Sequence, residues 1–319
     1  MGLLDSLKLH TAVAGGDFDV MFARVKLPPL PAAVAKVLEE VNREEPDVAK
    51  LETIIGAELE LSVRILTTIN SALFALRNEV TSVRHAISLL GFDRVRSVIL
   101  GYSVQDALPR PPGELFRHEA YWTDTLLRSL LARSLARRCR PAEAEAAFTA
   151  MLVADVAVPV LLTGCQTFYE PMLAEWRRSP RPLAEIEREA HGWDHGRAGA
   201  WILRSWKFPE RMAALVEAHT ANPAQLAEAG LADSVAPCIA TSSLLPSCLC
   251  SEPARCDALI DRSFSALDIP PAEWPGIYAE VLGDFQAIFV QFGLSGGHVK
   301  ATAEVLGAAI RRRGLELAV

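Results

Sequence analysis

An all-α fold is what this sequence predicts, on three observations. Apolar residues return every three to four positions in run after run, the stripe of an amphipathic helix. Residues suited to helix ends, such as Asp47, Ser82 and Gly91, stand between the runs. No stretch of useful length alternates apolar with polar residues as a half-buried strand does.

Residues 1–26 read as a helical or irregular lead-in. Leu27-Pro28-Pro29-Leu30-Pro31 is held extended, because each proline restricts its own φ and the residue before it. Val34, Val37, Leu38 and Val41 predict a helix that Pro46 closes. Asp47 caps the next, with Val48, Leu51, Ile54 and Ile55 inward. A third helix carries Leu61, Ile65, Leu66 and Ile69 to Asn70-Ser71, two side chains that compete for backbone hydrogen bonds. Thr81 or Ser82 caps Val83–Leu90, Gly91 suits a left-handed residue after it, and Asp93 caps the helix that follows.

Pro109 to Gly113 is the clearest linker, and a helix from Glu119 to Cys139 buries Leu126, Leu130, Leu131 and Leu135. Phe148 to Leu162 is almost wholly apolar and predicts one central helix buried all round. Asp155 is its one charge and needs a partner to stay inside. Helices follow at Leu183–Ala190, His195–Ser205 and Arg211–His219, and residues 224–319 read as further helices.

Composition narrows the function. Half of the 319 residues are apolar and 22% are charged, which fits a well-buried globular protein too large for one simple core. A formal charge of −7 argues against nucleic acid as a partner. Arg133, Arg137, Arg138 and Arg140, at helical spacing, read as a solvated face. No uninterrupted apolar run reaches the ~18 residues of a membrane span, so membrane insertion is not expected and the location reads as cytoplasmic. Cys238, Cys248, Cys250 and Cys256 lack the paired spacing of a zinc site and read as reduced thiols. His191 and His195 are four apart, but Gly192-Trp193 between them points to a loop and to packing or capping roles. Trp201 and Trp206 read as core.

Three blocks taken together resemble the HDOD family, divergent relatives of the HD metal-dependent phosphohydrolases. The first is Leu27-Pro28-Pro29-Leu30-Pro31 with its helix. The second runs from Ile54-Ile55 through Leu66 and Asn70-Ser71-Ala72 to Ser82, Ala86-Ile87 and Leu90-Gly91. The third is Trp122, Phe148, Leu152, Glu189, His195, Gly199, Trp206 and Pro209, with His219 beyond. The resemblance covers residues 20–220 and implies a two-lobed helical body, 20–108 and 114–220, after a lead-in at 1–19 and before a helical extension at 221–319. Glu58-Leu59 stands where the family has Asp-Pro, so a looser helix cap is expected there.

The resemblance also implies where a metal site would lie, and this chain departs from it. Asp124 replaces the first histidine, the dyad reads Ala154-Asp155, and Thr241 aligns best with the distal acid. Asp124, Ala154, Asp155, His195 and His219 are therefore expected to be a vestige with no bound metal, no cofactor and no catalytic residue, while Asn70, Ser71 and Gly91 hold the fold. The implied role is a non-catalytic bacterial signalling scaffold. Its partners would be sensor kinases, response regulators or cyclic-dinucleotide enzymes, with homodimerisation open. The alternatives are a divergent phosphohydrolase and a nucleotide-sensing module.

Overall fold

The computed structural model describes residues 12–13, 15–25, 30, 32–41, 43, 45–74, 76–179, 181–249 and 253–317, and every regular element among them is helical. Most of Leu27–Pro31, most of the lead-in and Cys250 lie outside the described residues. The first helices follow from local chemistry. Helix α1 is Phe18–Val25, α2 Ala32–Val41, α3 Val48–Gly56 and α4 Leu59–Ile69. Asp47 caps α3 by accepting from the amides of Ala49 and Lys50, while Glu58 makes no side-chain cap to α4, the looser start expected there.

Glu40 ties α2 to α3. Its fully buried carboxylate accepts from the Asp47 amide at 2.9 Å and pairs with Lys50 at 2.6 Å. The Lys50 hydrogen bond, then that of the Asp47 amide, pull its pKa down from 4.5 to about 2. A depressed acid contributes stability that is present above its unfolded pKa and lost as pH falls toward the folded one. Glu40→Gln should therefore lower the urea midpoint at pH 7, with the deficit shrinking between pH 4.5 and about 2.

Asn70 is more than an interruption. Its amide group donates to the Val80 carbonyl at 2.8 Å and its oxygen accepts from the Val80 amide at 2.7 Å, closing the connection as a strand partner would. Ser71 donates to the Thr68 carbonyl at 2.6 Å. Ser82 caps α5 (Val83–Leu90) through the His85 amide. Gly91 has φ 85° and ψ 161°, positive as expected but extended rather than helical, a region open in practice to glycine alone. Helix α6 (Phe92–Ala107) starts directly after Gly91, so Asp93 lies in its first turn and is not its cap.

Helix α7 (His118–Cys139) is the axis of the rest of the chain. It packs against α8 (Ala144–Leu152), α15 (Ala236–Ser242) and α17 (Trp274–Ile288). Arg133, Arg137 and Arg138 form a solvated face only in part, since Arg137 and Arg138 are exposed and Arg133 is buried. They pair with Asp284, Glu280 and Glu273 on and just before α17, and Arg133 is only 2% exposed.

The predicted single helix over Phe148–Leu162 is two, α8 and α9 (Ala157–Gly164), parted by a turn at Val153–Val156. The amides of Val153 and Ala154 bond three residues back, to Ala150 and Met151, instead of four. Periodicity cannot show such a break when both faces are apolar. Pro141–Gly164 is apolar enough overall to cross a membrane, but it is mostly buried within the protein and is core.

Behind it come α10 (Gln166–Trp176), α11 (Leu183–His191), α12 (His195–Ser205), α13 (Glu210–Ala218) and α14 (Pro223–Glu228), then α15, α16 (Pro253–Leu267), α17 and α18 (Val299–Arg312). Helix α1 packs on α9, with Phe18 edge-on to Trp193 and Phe22 stacked on Trp201. The lead-in boundary at residue 19 thus falls inside a helix held by the second lobe. Trp206 is buried, and Trp201 is partly buried against the core.

Candidate functional site

Four short elements bring the candidate residues together. Gly192, with φ 76°, ends α11, and Asp194 caps α12 by accepting from the Arg197 amide at 3.0 Å. This sets His195 at the first turn of α12, while His191 stacks on Trp193 in a packing role. His219 follows α13, and Gly199 lets α12 approach the turn closely: a Cβ there would lie 3.2 Å from the Ala154 carbonyl oxygen.

Asp155, His195 and His219 converge, each buried, with one ligand atom of each within 4.8 Å of the others. Asp155 Oδ1 is 3.4 Å from His195 Nε2 and 3.2 Å from His219 Nε2, and the two Nε2 atoms are 3.1 Å apart. The Val216 carbonyl, 2.5 Å from His219 Nδ1, can only accept, so that nitrogen carries a hydrogen. Glu187 Oε2 lies 2.5 Å from His195 Nδ1 and also accepts from the His195 amide at 2.8 Å. Tyr169 donates to the other Glu187 oxygen.

The charges balance within this cluster. Burial acts to lower the His195 pKa, but Glu187 and Asp155 outweigh it and raise it well above 6.5. Burial acts to raise Asp155, but His195, His219 and Arg128 outweigh it and hold the carboxyl well below 3.8. Arg128 reaches Asp155 Oδ2 at 3.0 Å, the oxygen that faces away from the imidazoles, and its Nε donates to the Leu245 carbonyl at 3.0 Å. Asp155 thus lies between the Arg128 guanidinium and the two imidazoles, and Glu187 backs His195 from the other side.

Asp124 lies on the same cleft but is turned to other partners. One oxygen accepts from the Cys248 amide at 2.9 Å and the other from the Ser247 hydroxyl, and burial pushes its carboxyl up. Ala154 offers no donor atom. Thr241 is fully buried, with its hydroxyl unpaired among the described residues. Cys238 faces Cys139, with the sulfurs 3.2 Å apart, while Cys256 is buried separately on α16.

Two imidazole nitrogens and a carboxylate are a donor set that suits one divalent transition metal, and Glu187 on Nδ1 is the usual outer support for such a histidine. Asp155, His195 and His219 would hold the ion, which would supply a Lewis acid. Among the described residues no second group of this kind forms, since Ala154 offers no donor and both oxygens of Asp124 accept hydrogen bonds.

Glu189, one of the residues that carry the family resemblance, is exposed and pairs with Arg181. The acid that serves the cluster is Glu187, and a signal was there: it stands on the apolar stripe, four residues from Leu183 and beside Ile186. Arg128 was also missed, and its spacing from Asp124 points to the wrong acid.

Comparison with known proteins agrees with this architecture. The model of the HDOD domain matches residues 27–222. YuxH of Bacillus subtilis, itself uncharacterised, is 31% identical over 103 residues, which are 32% of this chain and 24% of that protein's length. Among solved structures, an HDOD domain protein from Geobacter sulfurreducens superposes with a TM-score of 0.59 at 18% identity, covering 94% of this chain and 97% of that one. A Shewanella amazonensis protein provisionally named a phosphohydrolase gives 0.60 at 21% identity over 91% and 97%. A provisionally named signal transduction protein from Marinobacter aquaeolei gives 0.58 at 19% identity, covering 96% of this chain and 65% of that one. With its helical lobes, its Asn70-Ser71 corner and the family model spanning most of its length, this chain belongs to the HDOD domain family.

Proposed function

We propose that the protein is a non-catalytic regulator in bacterial cytoplasmic signal transduction, a helical scaffold whose HD-type site has become structural. The observation that carries this reading is Arg128 on Asp155. A guanidinium already neutralises the acid that an ion would need. Hydrolysis of a phosphodiester would further need a polarised water and a clamp on the phosphate, and among the described residues no second group of ligands stands beside the first.

The similarity to a protein named for signal transduction supports the regulatory setting. The partners proposed are sensor kinases, response regulators or cyclic-dinucleotide enzymes, and self-association into a homodimer is compatible with the same role.

Elemental analysis of the purified chain, paired with a bis(p-nitrophenyl) phosphate assay in added manganese, tests the site. The expected result is metal well below one ion per chain and hydrolysis at the buffer rate. One tightly held ion per chain, with turnover abolished by Asp155→Ala, would reverse the reading. The scaffold role is tested separately, by whether a proteomic pull-down retains a protein of one of the three partner classes.

A further inference from the structure

The cleft over Asp155 is far larger than the cluster at its floor requires. Its volume is about 760 Å³, within the usual range of small-molecule pockets. Its lining includes Phe116 and Tyr121, whose rings pack together, and also Trp176 and Leu183. Five arginines also line it, Arg117, Arg128, Arg188, Arg255 and Arg262, in a chain whose formal charge is −7.

Some of these guanidinium groups are committed. Arg188 pairs with Asp194, and Arg255 donates to the carbonyls of Ser179 and Arg181. Others are not. Arg128 uses Nε and Nη1 on Leu245 and Asp155, which leaves Nη2 without a hydrogen bond among the described residues. Arg262 is half-buried and has neither a hydrogen bond nor an ion pair from its side chain among the described residues. Glu185 acts on it from the rim, yet burial still lowers its pKa, so its charge is under-compensated. A desolvated guanidinium without a partner is costly, and an incoming oxyanion would relieve that cost with charge-assisted bonds.

The lining acids do not cancel this. Asp155 is spent on Arg128 and the histidines, Asp124 on Ser247 and Cys248, and Asp261 on Arg313. Arg255, Ala258 and Arg262 all come from α16, which lies outside the family-matched residues 27–222. The wall that would choose a ligand is thus a feature of the extension, set over a floor supplied by the HD-like lobe.

We infer that this cleft binds a small organic anion, a phosphate or carboxylate head on an apolar body, with Arg262 and the Nη2 edge of Arg128 taking the head and the apolar lining residues, Phe116 and Trp176 among them, taking the body. The inference rests on the non-hydrolytic reading only in that the ligand is held rather than cleaved.

Isothermal titration of the full chain with four probes tests it: adenosine monophosphate, decanoate, inorganic phosphate and adenosine. Either adenosine monophosphate or decanoate should bind one per chain in the micromolar range, and the two together distinguish a phosphate head from a carboxylate one. Phosphate or adenosine alone should bind at least tenfold more weakly. Arg262→Ala should weaken the bound probe about tenfold or more, the loss expected for a charge-assisted bond. Ala258→Trp, at an exposed position on the cleft wall, should block binding while leaving the thermal melt unchanged. No saturation by either headed probe up to millimolar concentration, or unchanged affinity in both variants, would overturn the inference. Recovery of a cleaved probe would leave the binding site standing and overturn the non-hydrolytic reading instead.

Discussion

Asp155→Ala should cost ~3–5 kcal/mol of folding stability, the penalty for removing one partner from a buried ion pair. The side chain is 12% exposed and is shared by Arg128, His195 and His219. Its loss leaves the Arg128 guanidinium, itself 13% exposed, with a single backbone carbonyl to bond. Adding Arg128→Leu should recover part of the deficit, because the orphaned cation is removed with its partner and replaced by an apolar group. The pH dependence has a defined sense. Asp155, depressed below 3.8, contributes stability that is present above that value and lost as pH falls toward its folded pKa. His195, raised above 6.5, contributes stability that is full below that value and lost as pH rises through its folded pKa. The difference between wild type and Asp155→Ala, read as urea midpoints, should therefore be greatest between pH 3.8 and 6.5 and shrink on both sides. A deficit below ~1 kcal/mol at pH 6 would mean that solvent screens the cluster and that its charges do not hold the lobe together.

Where structure follows from neighbours in the chain, the sequence could be read directly. Asp47, Ser82 and Asp194 cap helices through amides two or three residues away, and His195–Ser205 has the bounds that its pattern implies. Three of the positions that the resemblance points to, Asp155, His195 and His219, do meet. What could not be read was which charges join them. Arg128 serves Asp155, 27 residues on, although Asp124 stands one turn away on its own helix. Arg133 and Arg137 find acids more than 140 residues later, and Arg133 is buried there although its neighbours Arg137 and Arg138 stay exposed. The turn at Val153–Val156 is equally hidden, because an apolar run carries no signal of where its backbone changes from four-residue to three-residue bonds.

Trp274→Ala should cost ~3–5 kcal/mol and lower the whole protein's stability in one transition. The ring is fully buried at the start of α17, and its Nε1 donates to the Ser263 hydroxyl of α16 at 2.9 Å, so truncation opens a cavity and strips a buried hydroxyl of a partner. The extension behind it is tied to both lobes. Glu280 binds Ser134, Arg137 and Arg138 of α7, and Gln105 of α6 donates to the Phe292 carbonyl at 3.0 Å. Tyr102 packs against the Phe292 ring, and Glu119 accepts from the Ser295 amide at 2.7 Å. Contacts of that reach tie α16, α17 and the segment after them to the rest of the chain, so they are expected to melt with it. Far-UV circular dichroism, which follows every helix, and near-UV dichroism, which follows aromatic packing, should therefore shift together in the variant. Separate midpoints, with the aromatic signal lost first, would instead make the extension its own folding unit. The α16 wall of the cleft would then be free to open independently of the Asp155 floor.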